Sequence, residues 1–347
     1  MTATGRAAGR WRLLLAGYVL PVLAILGLVA LAFNLGRYPV APGQALAILY
    51  AAATGTEHGL PATLETVVMD VRLPRIGAAL VVGAALAAAG ATYQGIFRNP
   101  LVSPDILGVS SGAAFGAALA IFLALPFLFV QGLAFVFGLV AVSAVYLIAT
   151  LVRGAHNPLL VLVLAGVVVG SLLSAAVSML KYLADPYDQL PAIEYWLLGS
   201  LSAARAGDVL GILVPVALGL IPLVLVRWRI NLLSLDEEEA RALGVNTGRL
   251  RVVVIAAATL ITASAISIAG TVGWVGLIIP HLARMLVGPN YIRLLPASIL
   301  VGAGYLLAVD TVARNAAAIE LPLGTLNAFL GAPFFLYLLA RARRSWT

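Results

Sequence analysis

The chain contains no cysteine, which rules out both a disulfide framework and a thiolate metal site. Charge is scarce too. Only 10% of the 347 residues are Asp, Glu, Lys or Arg, against about 25% in a soluble domain. The three histidines, His58, His156 and His281, are too scattered to propose a metal cage. No Gly-x-x-x-x-Gly-Lys-Ser/Thr run occurs, so the usual phosphate loop is missing. Acids inside the apolar runs are few, and Asp105 and Asp310 stand near run ends. A transporter driven by protons or sodium calls for more intramembrane charge. The energy source is therefore expected outside this chain.

What is present is apolar surface in long blocks, with 62% hydrophobic residues. The runs are continuous and rich in Ala and Leu, without the alternation of a membrane β-barrel. Spanning helices need roughly 20 apolar residues each. The sequence predicts an all-α polytopic membrane protein, one transmembrane domain over 1–347. Its ten spans are 13–33, 74–96, 102–125, 128–152, 158–182, 207–227, 250–270, 274–287, 293–315 and 325–341. The eighth is too short to cross alone and reads as a half-helix buried among others. Arg6, Arg10 and Arg12 before the first run, with Ala30-Leu31-Ala32 after it, resemble a signal peptide. The run from Leu13 to Phe33 exceeds the usual signal core, which favours an uncleaved span.

The net charge of +7 suggests cytoplasmic loops rather than nucleic-acid binding once the bilayer is the solvent. With ten spans both termini share a side. Placing them in the cytoplasm leaves Arg37, Arg72, Arg75, Lys181, Arg205 and Arg314 outside and the other 15 of the 21 Lys and Arg inside. That is the positive-inside bias. The outer connection 34–73 is long, and Ala45 to Ala53 within it is a good helix former.

The one densely charged stretch is 233–251, which falls inside. Ser234-Leu235-Asp236-Glu237 reads as a capping box. Asp236, Glu237 and Glu238 load the first turn, where the helix dipole favours acids. Leu235, Ala240 and Leu243 lie close to one face, with Arg241 beside them. Gly244 is placed to end the helix and Thr247 to cap the next. The product is a short amphipathic docking helix, or else a solvated loop helix with no partner.

Other features carry two readings each. Arg72-Leu73-Pro74-Arg75 opens the second span, with Pro74 in its first turn. Its arginines, with Arg314, are either interface anchors or a docking surface for acidic residues of an external protein. Gly90 to Pro104 breaks a helix and starts another. Gly112 with Gly116, and Gly166 with Gly170, form small-residue faces for close helix contact. His281 is a hydrogen-bonded packing residue or a proton relay. Ala89-Gly90, Pro100 and Gly108 echo Ala269-Gly270, Pro280 and Gly288 at an offset of 180, a faint sign of an inverted repeat.

Together these residues resemble the permease subunits of type II ABC importers for iron-siderophores, haem and cobalamin. The resemblance runs from about Arg72 to Arg341. It rests on Arg72-Leu-Pro-Arg75, Gly95-Ile-Phe-Arg-Asn-Pro100-Leu, Gly108-Val-Ser-Ser-Gly112-Ala, Glu238-Glu-Ala-Arg-Ala-Leu-Gly244-Val, Gly276-Leu-Ile-Ile-Pro280-His281, Glu320-Leu-Pro-Leu-Gly324 and Leu330-Gly-Ala-Pro333-Phe.

The resemblance implies a homodimer with the pathway at its interface, each subunit docked to an ATPase that binds ATP and Mg. This chain itself would bind no cofactor and would not be an enzyme. A periplasmic binding protein would deliver the cargo to Arg72, Arg75 and Arg314. The coupling helices would be 233–247, carrying Leu235, Asp236, Glu237, Glu238, Ala240, Arg241, Leu243 and Gly244. Segments 83–116 and 166–178 are the candidates for pathway and gate, with Gly90, Gln94, Ser110, Ser111, Gly112, Ser171 and Ser174 as named positions. The expected cargo is an iron chelate, a siderophore first, haem second and cobalamin third, crossing a bacterial inner membrane. A secondary transporter without an ATPase and a structural membrane anchor are the alternatives.

Overall fold

The computed structural model describes residues 14–152, 158–233 and 237–342. Among them the chain is helical, without strands. Helix α1 is Leu15–Asn34, α2 is Pro42–Thr54, and α3 is one continuous rod, Ala62–Phe97. After a 3-10 turn at Pro104–Leu107 come α4 (Val109–Phe122), α5 (Phe127–Leu151) and α6 (Pro158–Leu183). Short α7 (Gln189–Leu198) precedes α8 (Ala206–Leu225), α9 (Arg227–Leu232) and α10 (Glu237–Ala242). The chain closes with α11 (Thr247–Ala269), α12 (Val275–Val287), α13 (Tyr291–Asn315) and α14 (Leu323–Ala342).

Seven helices, α1, α3, α5, α6, α8, α11 and α13, are long and apolar enough to cross a bilayer, while α4, α12 and the apolar part of α14 are shorter. With those three, the ten expected spans each meet a helix. The two ends of the bundle are fixed by contacts. At one end Tyr18 Oη donates to the Arg293 carbonyl at 3.3 Å and Arg98 Nε to the Leu233 carbonyl at 2.7 Å. At the other, Arg37 donates to the Ala318 carbonyl at 2.6 Å, and Arg72 to those of Phe33 and Tyr38. The labels inner, for the first, and outer, for the second, follow the orientation expected from the positive-inside bias.

Helices α3 and α11 are the most buried and form the centre; α1, α5, α6 and α8 present aliphatic side chains outward. Close approach depends on glycine. A Cβ on Gly83 would overlap the Gly302 carbonyl of α13, and one on Gly90 the Gly276 carbonyl of α12. Hydroxyl pairs join α3 to α11 and α13: Tyr93 Oη meets Thr259 Oγ1 at 2.9 Å and Thr92 Oγ1 meets Tyr291 Oη at 2.7 Å. Such interhelical bonds are worth about 0.6 kcal/mol on average in a membrane bundle.

Three expectations need correction. The second span begins at Ala62 rather than Pro74. A π-turn, Val67–Arg72, carries the helix through the proline, the Leu73 N–H reaching back five residues to the Val68 carbonyl. The wider turn accommodates a ring that otherwise clashes with the carbonyl four residues before it. The third span is not one helix from 102: Pro104 opens a 3-10 turn, and Gly108, at φ 79°, separates it from α4. The proposed internal echo does not join equivalent positions. Gly90 lies inside α3 while Gly270 ends α11, and Pro100 lies in a turn while Pro280 lies inside α12. His281 sets its ring edge-on to Phe334 at 6.4 Å, a packing contact.

Candidate functional site

At the inner end, α9 and α10 form a ledge. Asn231 anchors it, its Oδ1 accepting from the Tyr291 N–H at 2.8 Å and its Nδ2 donating to Asn290 Oδ1 at 3.1 Å. Ala240 is fully buried and Val245 nearly so, which presses α10 onto the body. Glu238, Glu239, Arg241 and Leu243 are exposed. Leu243 shows 59% of its surface, a large apolar side chain left in the open among charges. Ala240 and Leu243 therefore point different ways instead of sharing one face.

Gly244 adopts φ 78°, the left-handed geometry that ends a helix. The N–H of Val245 returns to the Ala240 carbonyl at 3.1 Å and that of Gly244 to the Arg241 carbonyl at 2.9 Å. The cap of α11 is Asn246, not Thr247: its Oδ1 accepts from the Arg249 N–H at 3.0 Å. Asn is among the strongest N-caps, above Thr, and Thr247 is buried as the first residue of α11. Ser234, Leu235 and Asp236 lie outside the described residues, so the proposed capping box onto Glu237 does too.

At the outer end the arginines turn inward. Arg75 donates from Nε and Nη2 to Asp310 at 2.8 to 3.1 Å and from Nη1 and Nη2 to Glu320 at 2.9 and 2.5 Å respectively. Arg314 lies one turn from Asp310, its Nε 3.3 Å from Oδ2. Arg72 and Arg75 are only 3% and 6% exposed and Asp310 is fully buried. Ser200 donates to Glu320 at 3.1 Å, tying in the loop after α7. Burial tends to raise the Glu320 carboxyl, but the Arg75 guanidinium on both its oxygens holds it below the usual carboxylate range. The acidic partners were visible in the sequence, Asp310 four residues before Arg314, yet sequence reasoning did not pair them.

The named passage positions divide into two groups. Gly90 is closed against α12 and Gly112 against the Phe137 carbonyl of α5. Gln94 is buried, donating to the Leu277 carbonyl at 3.2 Å and accepting from Arg284 at 3.1 Å. These three occupy helix seams within the protomer, not an open surface. Ser110 and Ser111 are half-buried, while Ser171 and Ser174 are exposed on α6. Gly170 joins the two sets, since a Cβ there would lie 3.5 Å from Ser111 Oγ.

Ten apolar helices in one bundle, two of them fed by broken backbone at membrane depth, define a multi-pass membrane permease. The chain belongs to the FecCD transport family, whose model matches residues 22–341. It is 45% identical to a molybdate import system permease protein of Haemophilus influenzae, over 93% of this chain and 94% of that protein. It is equally identical to a cobalamin import system permease protein of Halobacterium salinarum, over 86% and 79%. Identity is 39% to an Fe(3+)-citrate import system permease protein of Bacillus subtilis, over 92% and 95%. A solved structure titled as an inward-facing metal-chelate type ABC transporter matches at a TM-score of 0.82 and 40% identity, covering 92% of this chain and 97% of that one. The chain is thus a transport permease of the ABC importer class, and ATP hydrolysis belongs to separate ATPase subunits.

Proposed function

We propose that this permease carries an intact iron chelate, a ferric siderophore in the first instance, across a bacterial inner membrane. It works as a homodimer with two ATPases at the inner end and a periplasmic binding protein at the outer end. Both termini face the cytoplasm, on the charge bias of the loops. The observation that carries the cargo assignment is the open face of α6. Val167, Val168, Ser171, Leu172 and Ser174 expose aliphatic groups and hydroxyls there. Such a surface accommodates a bulky wrapped chelate, and the chain has no thiolate to strip a metal from it. Haem and cobalamin are the next candidates by the same chemistry.

In this reading Leu243 and the acids of α10 enter a groove of the ATPase, and ATP-driven closure moves the spans. Arg72, Arg75 and Arg314 shape the outer docking surface. Because Arg72 and Arg75 are buried, they act by holding that surface in place as well as through their field. The test is uptake by the complex reconstituted in proteoliposomes, with ferric siderophores, haem, cobalamin and molybdate offered in turn. ATP-dependent accumulation of a ferric siderophore supports the assignment. Accumulation of molybdate or cobalamin in its place reassigns the cargo, and uptake with no ATPase present overturns the whole reading.

A further inference from the structure

One ionisable side chain is held by hydroxyls alone, with no counter-charge among the described residues. After α3 ends at Phe97, the chain turns and re-enters the bundle. Pro104 comes to rest against Gly276, which itself lies against Leu86 and Gly90 of α3. Gly90 is two helical turns before the end of α3, so the 3-10 turn sits about 10 Å inside the inner end. Pro104, Leu107 and Gly108 are buried there, but Asp105 between them is exposed. Its Oδ2 accepts from Ser103 Oγ at 3.3 Å and its Oδ1 from Ser110 Oγ. Among the described residues no Lys, Arg or His forms an ion pair with it. In the sequence it is the sole charged residue between Arg98 and Arg153.

A carboxylate answered only by hydroxyls is too costly to face hydrocarbon. Irregular backbone at membrane depth persists only where protein buries it or a water-filled cavity borders it. The exposed side of this turn therefore faces water or a second copy of the chain rather than lipid. Gly108 lies 3.6 to 3.8 Å, from the position of an added Cβ, to Gly166 and Gly170 of α6. That places Asp105 beside the open face bearing Ser171 and Ser174.

We infer that Asp105 is the charge selector of the passage, a fixed carboxylate that admits neutral or cationic cargo and holds back anions. The inference rests on the permease reading above and adds the charge class of the cargo. In a low-dielectric channel one unpaired charge is focused rather than dispersed. Two copies of the chain would bring two such carboxylates to one passage. Molybdate and ferric citrate, both anions, are thereby disfavoured as cargo of this chain despite the relatives that carry those names.

The absence of cysteine makes a direct test available. Ser171→Cys supplies the permease's single thiol, and its rates of labelling within the assembled complex by a cationic and an anionic methanethiosulfonate are compared, each relative to free cysteine. With Asp105 in place the cationic reagent is favoured by about threefold or more. Asp105→Asn brings the ratio back toward unity, while Asp105→Glu retains it and controls for folding. A ratio that ignores Asp105→Asn, or a thiol that neither reagent reaches, overturns the inference. Labelling needs no cargo, so its outcome is independent of whether a ferric siderophore is the substrate. In uptake, Asp105→Asn should raise transport of a carboxylated ferric trihydroxamate relative to its neutral parent. An unchanged ratio counts against the selector.

Discussion

The two ends of the bundle use charge in opposite ways. At the outer end Arg72, Arg75 and Arg314 are folded into the protein, answered by Asp310, Glu320 and main-chain carbonyls. At the inner end Glu238, Glu239 and Arg241 stand on the surface of α10 around an exposed Leu243. The outer cluster is buried and paired within the chain, while the inner charges lie on the surface. A charge in a loop of a membrane protein is thus no single signal. Its meaning depends on whether the fold buries it or leaves it on the surface.

The contrast makes its largest prediction at Asp310. Asp310→Ala strands Arg75 and Arg314 around one remaining carboxylate, and breaking such a buried pair costs about 3–5 kcal/mol. Thermal unfolding of the detergent-solubilised permease should show it. Wild-type stability in that variant would mean the outer network is not structural.

Acid should act on the same end. Glu320 is held below the usual carboxylate range, so its contribution is present above the unfolded value of about 4.3. It is lost as pH falls through the folded value. Glu320→Gln should therefore flatten the acid limb of a stability–pH profile from about pH 4 downward, leaving the neutral region lower and flat. An acid limb as steep as in the wild type would place the titration elsewhere.

Smaller effects belong to the inner end. Asn246→Ala removes the cap of α11 and should cost about 1 kcal/mol, seen as faster amide exchange over the first turn of that helix. Leu243→Asp should change stability by less than about 0.5 kcal/mol, because the side chain is already in water. A large loss there would show that α10 belongs to the core and would erase the contrast.

Much of this was legible in the sequence, for physical reasons. Hydrophobic runs specify spans because lipid tolerates little else, and Gly244 stops α10 because few residues accept its φ of 78°. What escaped were features set by distant contacts. The helix through Pro74 needs a π-turn whose first residues belong to the outer connection. The close approach of Gly90 and Gly112 to carbonyls on other helices is invisible until those helices are placed. Arg75 looks exposed until Asp310, 235 residues away, is brought beside it. Thr247 and Asn246 both fit the cap pattern in sequence, and the stronger cap, Asn246, takes the position. The cargo is the least legible property, since relatives equally similar to this chain carry names for chemically unlike substrates.

The central claim is that this permease is powered through the exposed ledge at its inner end. It is tested most directly by co-purifying the cognate ATPase with Leu243→Asp and measuring ATP-dependent uptake in the same proteoliposomes. The account predicts that ATPase association and uptake both fall tenfold or more, a loss of about 1.4 kcal/mol, while the melting temperature of the permease holds. A variant that keeps wild-type association and uptake would contradict it.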